Sequence, residues 1–420
     1  MADGARRFYW GWYVVLGAFL IMGVNYGTRY CFGIFVKPMA LEYGWSRSVI
    51  SAGMSVLLLA YGIGGVFGGR LIDRIAPRWL ITVGAAFLAA GMLLTPMIRE
   101  PWQFYLTYGI CGGLGSGFLG VVVCNSSVAK WFVHQRGLAI GIASIGVGVG
   151  TMVLAPLAGT IVKVYDWRVG FICMGGLVLI IGVALSQWLM GRTKPEDYGL
   201  LPDGAAGSAP AAEHEPAMAG PAPVQRPLGT ILVDSRFVVL AICYSLGFFA
   251  EMSAMVHQVP YALDRQIDKV AAASSLGMIG IASIFGRFFF GWLSDRVRDA
   301  KIVSSFGFLC MAVGMVLLLY ASSTTILFVY ALAFGFGYGA LSTMIPYLLA
   351  DRFGRHSLGA AYGMVTFCIC VAGAIGPVVT GYIYDRSGSY ISAWLVNLAA
   401  LVVATFLILA MKPGDGQGEH

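Results

Sequence analysis

Long apolar stretches alternate with short polar ones along the chain. In order they run Tyr13 to Phe35, Val49 to Leu71, Leu80 to Met97, Phe104 to Asn125, Gly137 to Val162 and Val169 to Leu189. After a polar gap come Phe237 to Val259, Ala271 to Trp292, Ile302 to Tyr320, Ile326 to Leu349, Leu358 to Ile383 and Ile391 to Ala410. At about 1.5 Å rise per residue, roughly 20 residues cross a ~30 Å hydrocarbon core, so each run predicts a spanning helix. Twelve spans put both chain ends on the same side. The gap, Arg192 to Asp234, is the only long loop, and its middle, Ala205 to Pro227, is dense in Ala, Pro and Gly. It predicts a flexible linker. The chain thus divides into a six-helix unit over 1–191, a linker over 192–235 and a second six-helix unit over 236–420.

Composition narrows the class to a polytopic helical membrane protein: 58% of the 420 residues are hydrophobic, 11% are charged and 57 are glycine, with mean hydropathy +0.80. That excludes a soluble enzyme. The net charge of +7 does not imply nucleic acid, because the Lys and Arg lie in short clusters between apolar runs, as membrane topology requires. They favour the side that holds the termini and the linker, so that side is expected to be cytoplasmic. All eight cysteines fall in the apolar runs without a CxxC pair; they read as core or lipid-facing thiols, and no metal or cofactor is expected. The first run is too long for a cleaved signal and is expected to remain as helix 1.

Adding 222 to a residue number superposes the halves. Gly69, Leu71, Asp73 and Arg74 map onto Gly291, Leu293, Asp295 and Arg296; Gly113, Gly115 and Gly117 onto Gly335, Gly337 and Gly339; Gly137 and Gly141 onto Gly359 and Gly363. One offset across three separated motifs indicates an internal duplication in parallel. The glycine series predict close helix packing.

One charge interrupts the eighth run. Arg287 sits in AAASSLGMIGIASIFGRFFFGW, sharing a helix face with Gly280, Ser283 and Phe290. A central arginine costs about 2.5 to 3.5 kcal/mol on insertion scales, so it normally faces protein or a water-filled cavity. Small neighbours leave room there for an anion beside the guanidinium. Snorkelling is the alternative, since Trp292 lies five residues away. The repeat mate of Arg287 is Gly65, so the fold itself requires no cation at this position, which favours a functional role.

The loop GGRLIDRIAPR after helix 2, with its second copy GWLSDR after helix 8, resembles the signature of the major facilitator superfamily. The resemblance implies an all-α membrane protein of twelve transmembrane helices in two six-helix bundles related by a pseudo-twofold axis. It also implies a gating role for Asp73, Arg74, Arg78, Asp295 and Arg296. Arg78 has no basic mate at Ala300, and the expected glycine is Ala76.

Within that superfamily, four stretches resemble the monocarboxylate transporters and the related oxalate/formate exchangers. They are YWGWYVVLGAFLIMGVNYG (Tyr9 to Gly27), WFVHQRGLAIGIASIGVGVG (Trp131 to Gly150), PEDYGLLPDG (Pro195 to Gly204), which is similar to bacterial members, and FGFGYGALS with GMVTF (Phe334 to Ser342, Gly363 to Phe367). The resemblance places Arg287 where that family binds the substrate carboxylate, with Tyr26, Tyr30, Asn125, Ser283, Tyr338 and Phe367 as candidate companions. Proton-coupled members commonly carry an aspartate one turn before the arginine, where Ser283 stands, and a lysine in helix 1, where Tyr30 stands beside Arg29. Oxalate exchangers use a second basic residue in helix 11, and Leu358 to Ile383 has none, which favours a monocarboxylate.

Three further titratable residues lie within spans. Arg29 and Glu251 are repeat mates, expected to pair across a central cavity in the outward-closed state. His257 lies about 240° around helix 7 from Glu251 and near Pro260, where it is expected at the interface. The expected protein is a proton-coupled, alternating-access transporter of lactate- or pyruvate-type monocarboxylates in a bacterial inner membrane. A proton-independent organic-anion exchanger and a non-transporting carboxylate sensor are the alternatives. The expected partners are the substrate, a proton and the bilayer; an ancillary subunit is left open.

Overall fold

The computed structural model describes residues 9–72, 74–132, 135–191, 195, 232–294, 296–297, 299–353 and 358–411. Among these residues, twelve helices are long and apolar enough to cross a membrane. They are α1 (Trp10–Tyr43), α2 (Arg47–Leu71), α3 (Pro77–Met97), α4 (Pro101–Ala129), α5 (Gly137–Val164) and α6 (Trp167–Trp188). The second set is α7 (Ser235–Asp264), α8 (Lys269–Ser294), α9 (Ala300–Leu319), α10 (Thr324–Phe353), α11 (Tyr362–Ser387) and α12 (Ile391–Leu409). The twelve apolar runs therefore fold as twelve spans, several extended by a turn or two of polar residues. The expected linker, Ala205 to Pro227, lies outside the described residues, as do Asp73 and Asp295.

Polar residues terminate the helices where the chain leaves the apolar layer. Ser46 accepts from the Val49 N–H at the start of α2, Asp234 from Arg236 at α7 and Asp299 from Lys301 at α9, each satisfying a donor that has no partner inside the helix. Gly44 (φ +65°) ends α1 in the left-handed region that glycine tolerates.

Small residues set how closely the helices approach, because apolar side chains gain little by leaving lipid for protein. Two of the stretches singled out in the sequence pack on one another. A Cβ at Gly23 of α1 would lie 3.0 Å from the Gly146 carbonyl of α5, and one at Gly27 would lie 2.8 Å from Gly150. The duplication extends to single contacts. A Cβ on Gly64 would lie 3.3 Å from the Gly117 Cα, and its equivalent on Gly286 would lie 3.2 Å from the Gly339 Cα. The glycine series of α4 and α10 therefore serve helix packing, as their spacing predicts.

The two bundles meet along α2 with α11 and α5 with α8. Among the described residues, the close approaches between the bundles lie at the end opposite the chain termini and in the middle. There α5 and α8 touch at Gly159 with Ala273, at Met152 with Gly277 and at Gly148 with Gly280, while Gly381 of α11 lies on Ser48 of α2. Toward the terminal end, Cβ atoms at Gly137 and Gly141 of α5 and Gly363 of α11 would meet nothing within 4 Å. Among the described residues, the seam is closed at its far end and parts at these three positions toward its terminal end.

Candidate substrate-binding site

Arg287 stands where the closed and open parts of the seam meet. Its position on α8 is close to α10, because Gly339 has no side chain: a Cβ there would lie 2.7 Å from the Arg287 nitrogen. The guanidinium reaches across the seam, and Nη1 donates to the Ser144 carbonyl of α5 at 2.9 Å. Nε is buried without a partner. A side chain that merely snorkelled would point its donors to the membrane surface; this one binds the opposite bundle and keeps a donor unspent.

Its companions build a polar bridge between bundles. The Arg287 guanidinium carbon lies 5.9 Å from the Tyr338 ring centre, and the Tyr338 hydroxyl meets that of Tyr30 at 3.1 Å. Tyr30, Tyr338 and Ser283 line one small pocket with Val147, Gly148, Thr151, Met255, Ile279 and Gly280. Ser283 uses its hydroxyl on the Gly280 carbonyl at 2.8 Å, so it shapes the wall more than it offers a donor. Tyr26 bonds Tyr61 at 2.7 Å, one step away from the bridge. Asn125 has a buried, unpartnered side-chain oxygen on α4. Phe367 is 65% exposed on the stretch of α11 where the bundles part, and no contact joins it to the Arg287 group.

Behind the tyrosine bridge lie Arg29 and Glu251, both buried. The Arg29 guanidinium carbon sits 4.3, 4.9 and 5.1 Å from the ring centres of Tyr26, Tyr61 and Tyr30, a cation held against π faces. Its Nη2 approaches the Tyr30 hydroxyl at 3.4 Å, while Nε and Nη1 have no partner. Neither oxygen of Glu251 makes a hydrogen bond of good geometry, and the hydroxyl that acts on it is that of Tyr30. The two repeat mates are thus neighbours in the electrostatic sense, but they form no ion pair, although the far end is closed.

His257 is not at an interface. Helix α7 continues through Pro260 to Asp264, which carries His257 into the closed seam. Its Nε2 lies 2.8 Å from the Pro377 carbonyl and 3.0 Å from the Ser51 hydroxyl. Since a carbonyl only accepts, Nε2 carries the proton, and Nδ1 accepts from the Tyr390 hydroxyl at 3.0 Å. Tyr390 in turn accepts from Arg47 Nη1 at 2.6 Å.

Arg47 centres a group of cross-seam contacts that the sequence does not reveal. It bonds Asp264 across the seam at 2.7 Å and stacks 3.8 Å from the Tyr384 ring centre; Lys37 shares Asp264 at 2.8 Å. Asp385 accepts from the main-chain N–H groups of Arg47 and Ser48, each at 2.9 Å. On the other side of the axis, Lys163 bonds Asp268 at 2.6 Å. In sequence these are ordinary charges at helix ends, and only the offset of 222 between Lys163 and Asp385 could have marked them. At the terminal end, Arg74 is exposed, Arg78 lies 5.3 Å from the Trp79 ring centre and Arg296 lies 4.1 Å from that of Trp292. No contact among the described residues joins them across the seam.

The sequence profile of the Major Facilitator Superfamily matches residues 18–377 and 240–419. The chain belongs to this superfamily. Its members are membrane transporters, not enzymes. Human monocarboxylate transporter 12 is 27% identical over 432 residues, covering 95% of this chain and 80% of the relative. Mouse monocarboxylate transporter 1 is 26% identical over 425 residues, covering 96% and 85%. Among solved structures, the xylose transporter XylE from E. coli aligns with TM-score 0.71 at 14% identity over 97% of this chain and 98% of that one. The nucleoside transporter NupG aligns with TM-score 0.73 at 12% identity over 95% and 99%. The protein is an integral membrane transporter related to the monocarboxylate transporters.

Proposed function

We propose that this protein moves small monocarboxylates of the lactate or pyruvate type by alternating access, with Arg287 as the carboxylate ligand. The observation that carries the reading is the unspent Nε of Arg287 in the seam between bundles, at the boundary of the open cavity. A planar guanidinium grips a carboxylate through two parallel donors, which a point charge does not. Tyr338 and Tyr30 supply hydroxyls beside it, suited to a 2-hydroxy or 2-keto group, and Asn125 supplies an amide from the other bundle.

Coupling to a proton is part of the proposal. Ser283 occupies the position one turn before Arg287, and the buried Glu251 of α7 is assigned as the coupling acid in its place. The Lys and Arg distribution supports cytoplasmic termini, and the likeness of Pro195 to Gly204 to bacterial members supports a bacterial inner membrane; on that reading the terminal end of the cavity is cytoplasmic. Arg74, Arg78 and Arg296, with Asp73 and Asp295, then belong to the cytoplasmic gate, apart in this state and engaged when the far end opens. The segment over 192–235 is assigned as the linker between bundles. An impermeant thiol reagent should fail to reach a single cysteine in it from outside intact cells.

Reconstitution in proteoliposomes tests the function. Lactate accumulation driven by a pH gradient supports symport; flux only against anion on the opposite face identifies an exchanger; binding without flux identifies a sensor and refutes transport.

A further inference from the structure

We infer that His257 is the positioning residue for closure of the far end: its neutral ring turns the Tyr390 hydroxyl so that it can accept from Arg47, and a second proton on that ring and a closed seam exclude one another. The inference rests on the alternating-access part of the proposed reading and is independent of the substrate. His257 is buried on α7 and meets three other elements. Nε2 donates to the Pro377 carbonyl of α11 at 2.8 Å and to the Ser51 hydroxyl of α2 at 3.0 Å, and Nδ1 accepts from the Tyr390 hydroxyl, just before α12, at 3.0 Å. The Tyr390 oxygen in turn accepts from Arg47 Nη1 of α2 at 2.6 Å. The order of donors is therefore fixed: Arg47 gives to Tyr390, Tyr390 to His257, and His257 to Pro377.

A second ring proton breaks that order. Both nitrogens of an imidazolium donate, so Nδ1–H and Arg47 would face the same Tyr390 oxygen. The Tyr390 O–H would lose its acceptor among aromatic neighbours, since the Tyr384 and Trp394 ring centres lie 4.4 and 5.5 Å from its own. The added charge would also lack a partner. The charged groups that reach this network are Arg47 on α2, Asp385 on α11, Asp264 at the end of α7 and Lys37 on α1; Tyr384, Tyr390 and Tyr261 are its other titratable members. Asp264 already holds Arg47 and Lys37, and Asp385 already holds the Arg47 and Ser48 N–H groups. A buried cation added without a free carboxylate is costly.

Opening the far end removes the conflict. Arg47 and Ser51 leave with α2, whereas His257, Pro377 and Tyr390 belong to one bundle and stay together. Tyr390 then turns its O–H to water and accepts from Nδ1–H, while Nε2–H keeps the Pro377 carbonyl. The proton binds the open form and closure expels it. Because an imidazole in water titrates near about pH 6.5, the pH of the far compartment biases the seam between open and closed.

Spin labels on Leu41→Cys and Ile391→Cys, exposed at the far ends of α1 and α12, test this in a background without native cysteines, with double electron–electron resonance distances reading the open population. In otherwise wild-type protein the open-to-closed ratio should rise between about pH 8 and pH 5.5, by up to about tenfold per pH unit for one proton. Protonation of Asp264 or Asp385 would loosen the seam in the same direction, and Glu251 lies on the same helix, so the decisive variants leave all three in place. His257→Asn, whose side-chain oxygen accepts from Tyr390 as Nδ1 does, should stay closed and lose the pH response; His257→Phe, without that acceptor, should also lose the response but be more open at every pH. Tyr390→Phe should raise the open fraction at the alkaline end, a readout that survives if the His257 variants fail to fold. A wild-type ratio that ignores pH, a response that persists in His257→Asn, a His257→Asn variant as open as His257→Phe, or a Tyr390→Phe variant as closed as wild type overturns the inference. Flux in proteoliposomes, measured alongside, decides the alternating-access reading separately.

Discussion

Lys163 and Asp385 occupy the same position in the two halves of the chain, carry opposite charges, and close the same end of the molecule. Lys163 at the end of α5 binds Asp268, 2.6 Å away, just before α8. Asp385 at the end of α11 instead receives the first N–H groups of α2 directly, at 2.9 Å. In one seam a carboxylate caps its own helix and attracts a cation from the other bundle, since Asp268 also accepts from Val270 and Ala271. In the other, the opposite bundle supplies the capping carboxylate itself. Both use the positive end of a helix as a latch.

Because Asp385 serves two donors of another bundle, its loss should loosen the far end. Asp385→Ala removes a cap of the kind worth about 0.5 to 2 kcal/mol. In a background without native cysteines, a cysteine at Ser55, inside the closed seam, should then react faster with a thiol reagent added from the far side. An equal rate in the two backgrounds would show that Asp385 is not a latch.

The Lys163 ammonium, with the Val270 and Ala271 N–H groups, holds the Asp268 carboxyl below its usual range. A depressed carboxyl contributes when ionised: its contribution is present above the ordinary aspartate range and is lost only as pH falls through the lowered value. Asp268 is therefore ionised throughout the neutral range. Asp268→Asn should leave the shape of the pH dependence of transport unchanged in that range, and added salt should mimic part of its effect, since the pair is exposed. A shifted profile in Asp268→Asn would assign the titration to this pair.

Helix contact in the middle of the seam depends on Gly280, where a Cβ would lie 2.6 Å from the Gly148 carbonyl. The obstacle is backbone, which cannot rotate aside. Gly280→Val should hold α5 and α8 apart, lowering transport by about tenfold or more while the twelve helices persist, as small-residue interfaces in membranes imply. Wild-type flux in that variant would mean that the closed state is not on the transport path.

Much of this was legible in the sequence, for local reasons. Spans follow from the length of apolar runs, the duplication from one constant offset, and Arg287 from the cost of a lone charge on a small-residue face without a mate at Gly65. The far-end contacts were not legible. Arg47, Asp264 and Asp385 sit at helix ends, where charges need no special explanation, and their pairing depends on which helices face each other across the seam. His257 was misplaced because Pro260 reads as a helix end, whereas α7 continues for another turn and buries the ring. Phe367 and Arg287 look equally central by helix position, but the bundles diverge between them.

Arg287 carries the central claim, and substrate binding tests it most directly. Lactate affinity, measured calorimetrically on purified wild type and Arg287→Gln at matched folded concentration, should fall below detection in the variant, with Arg287→Lys markedly weakened because lysine lacks the two-pronged fork. Equal lactate affinity in wild type and Arg287→Gln would contradict both the site and the monocarboxylate function built on it.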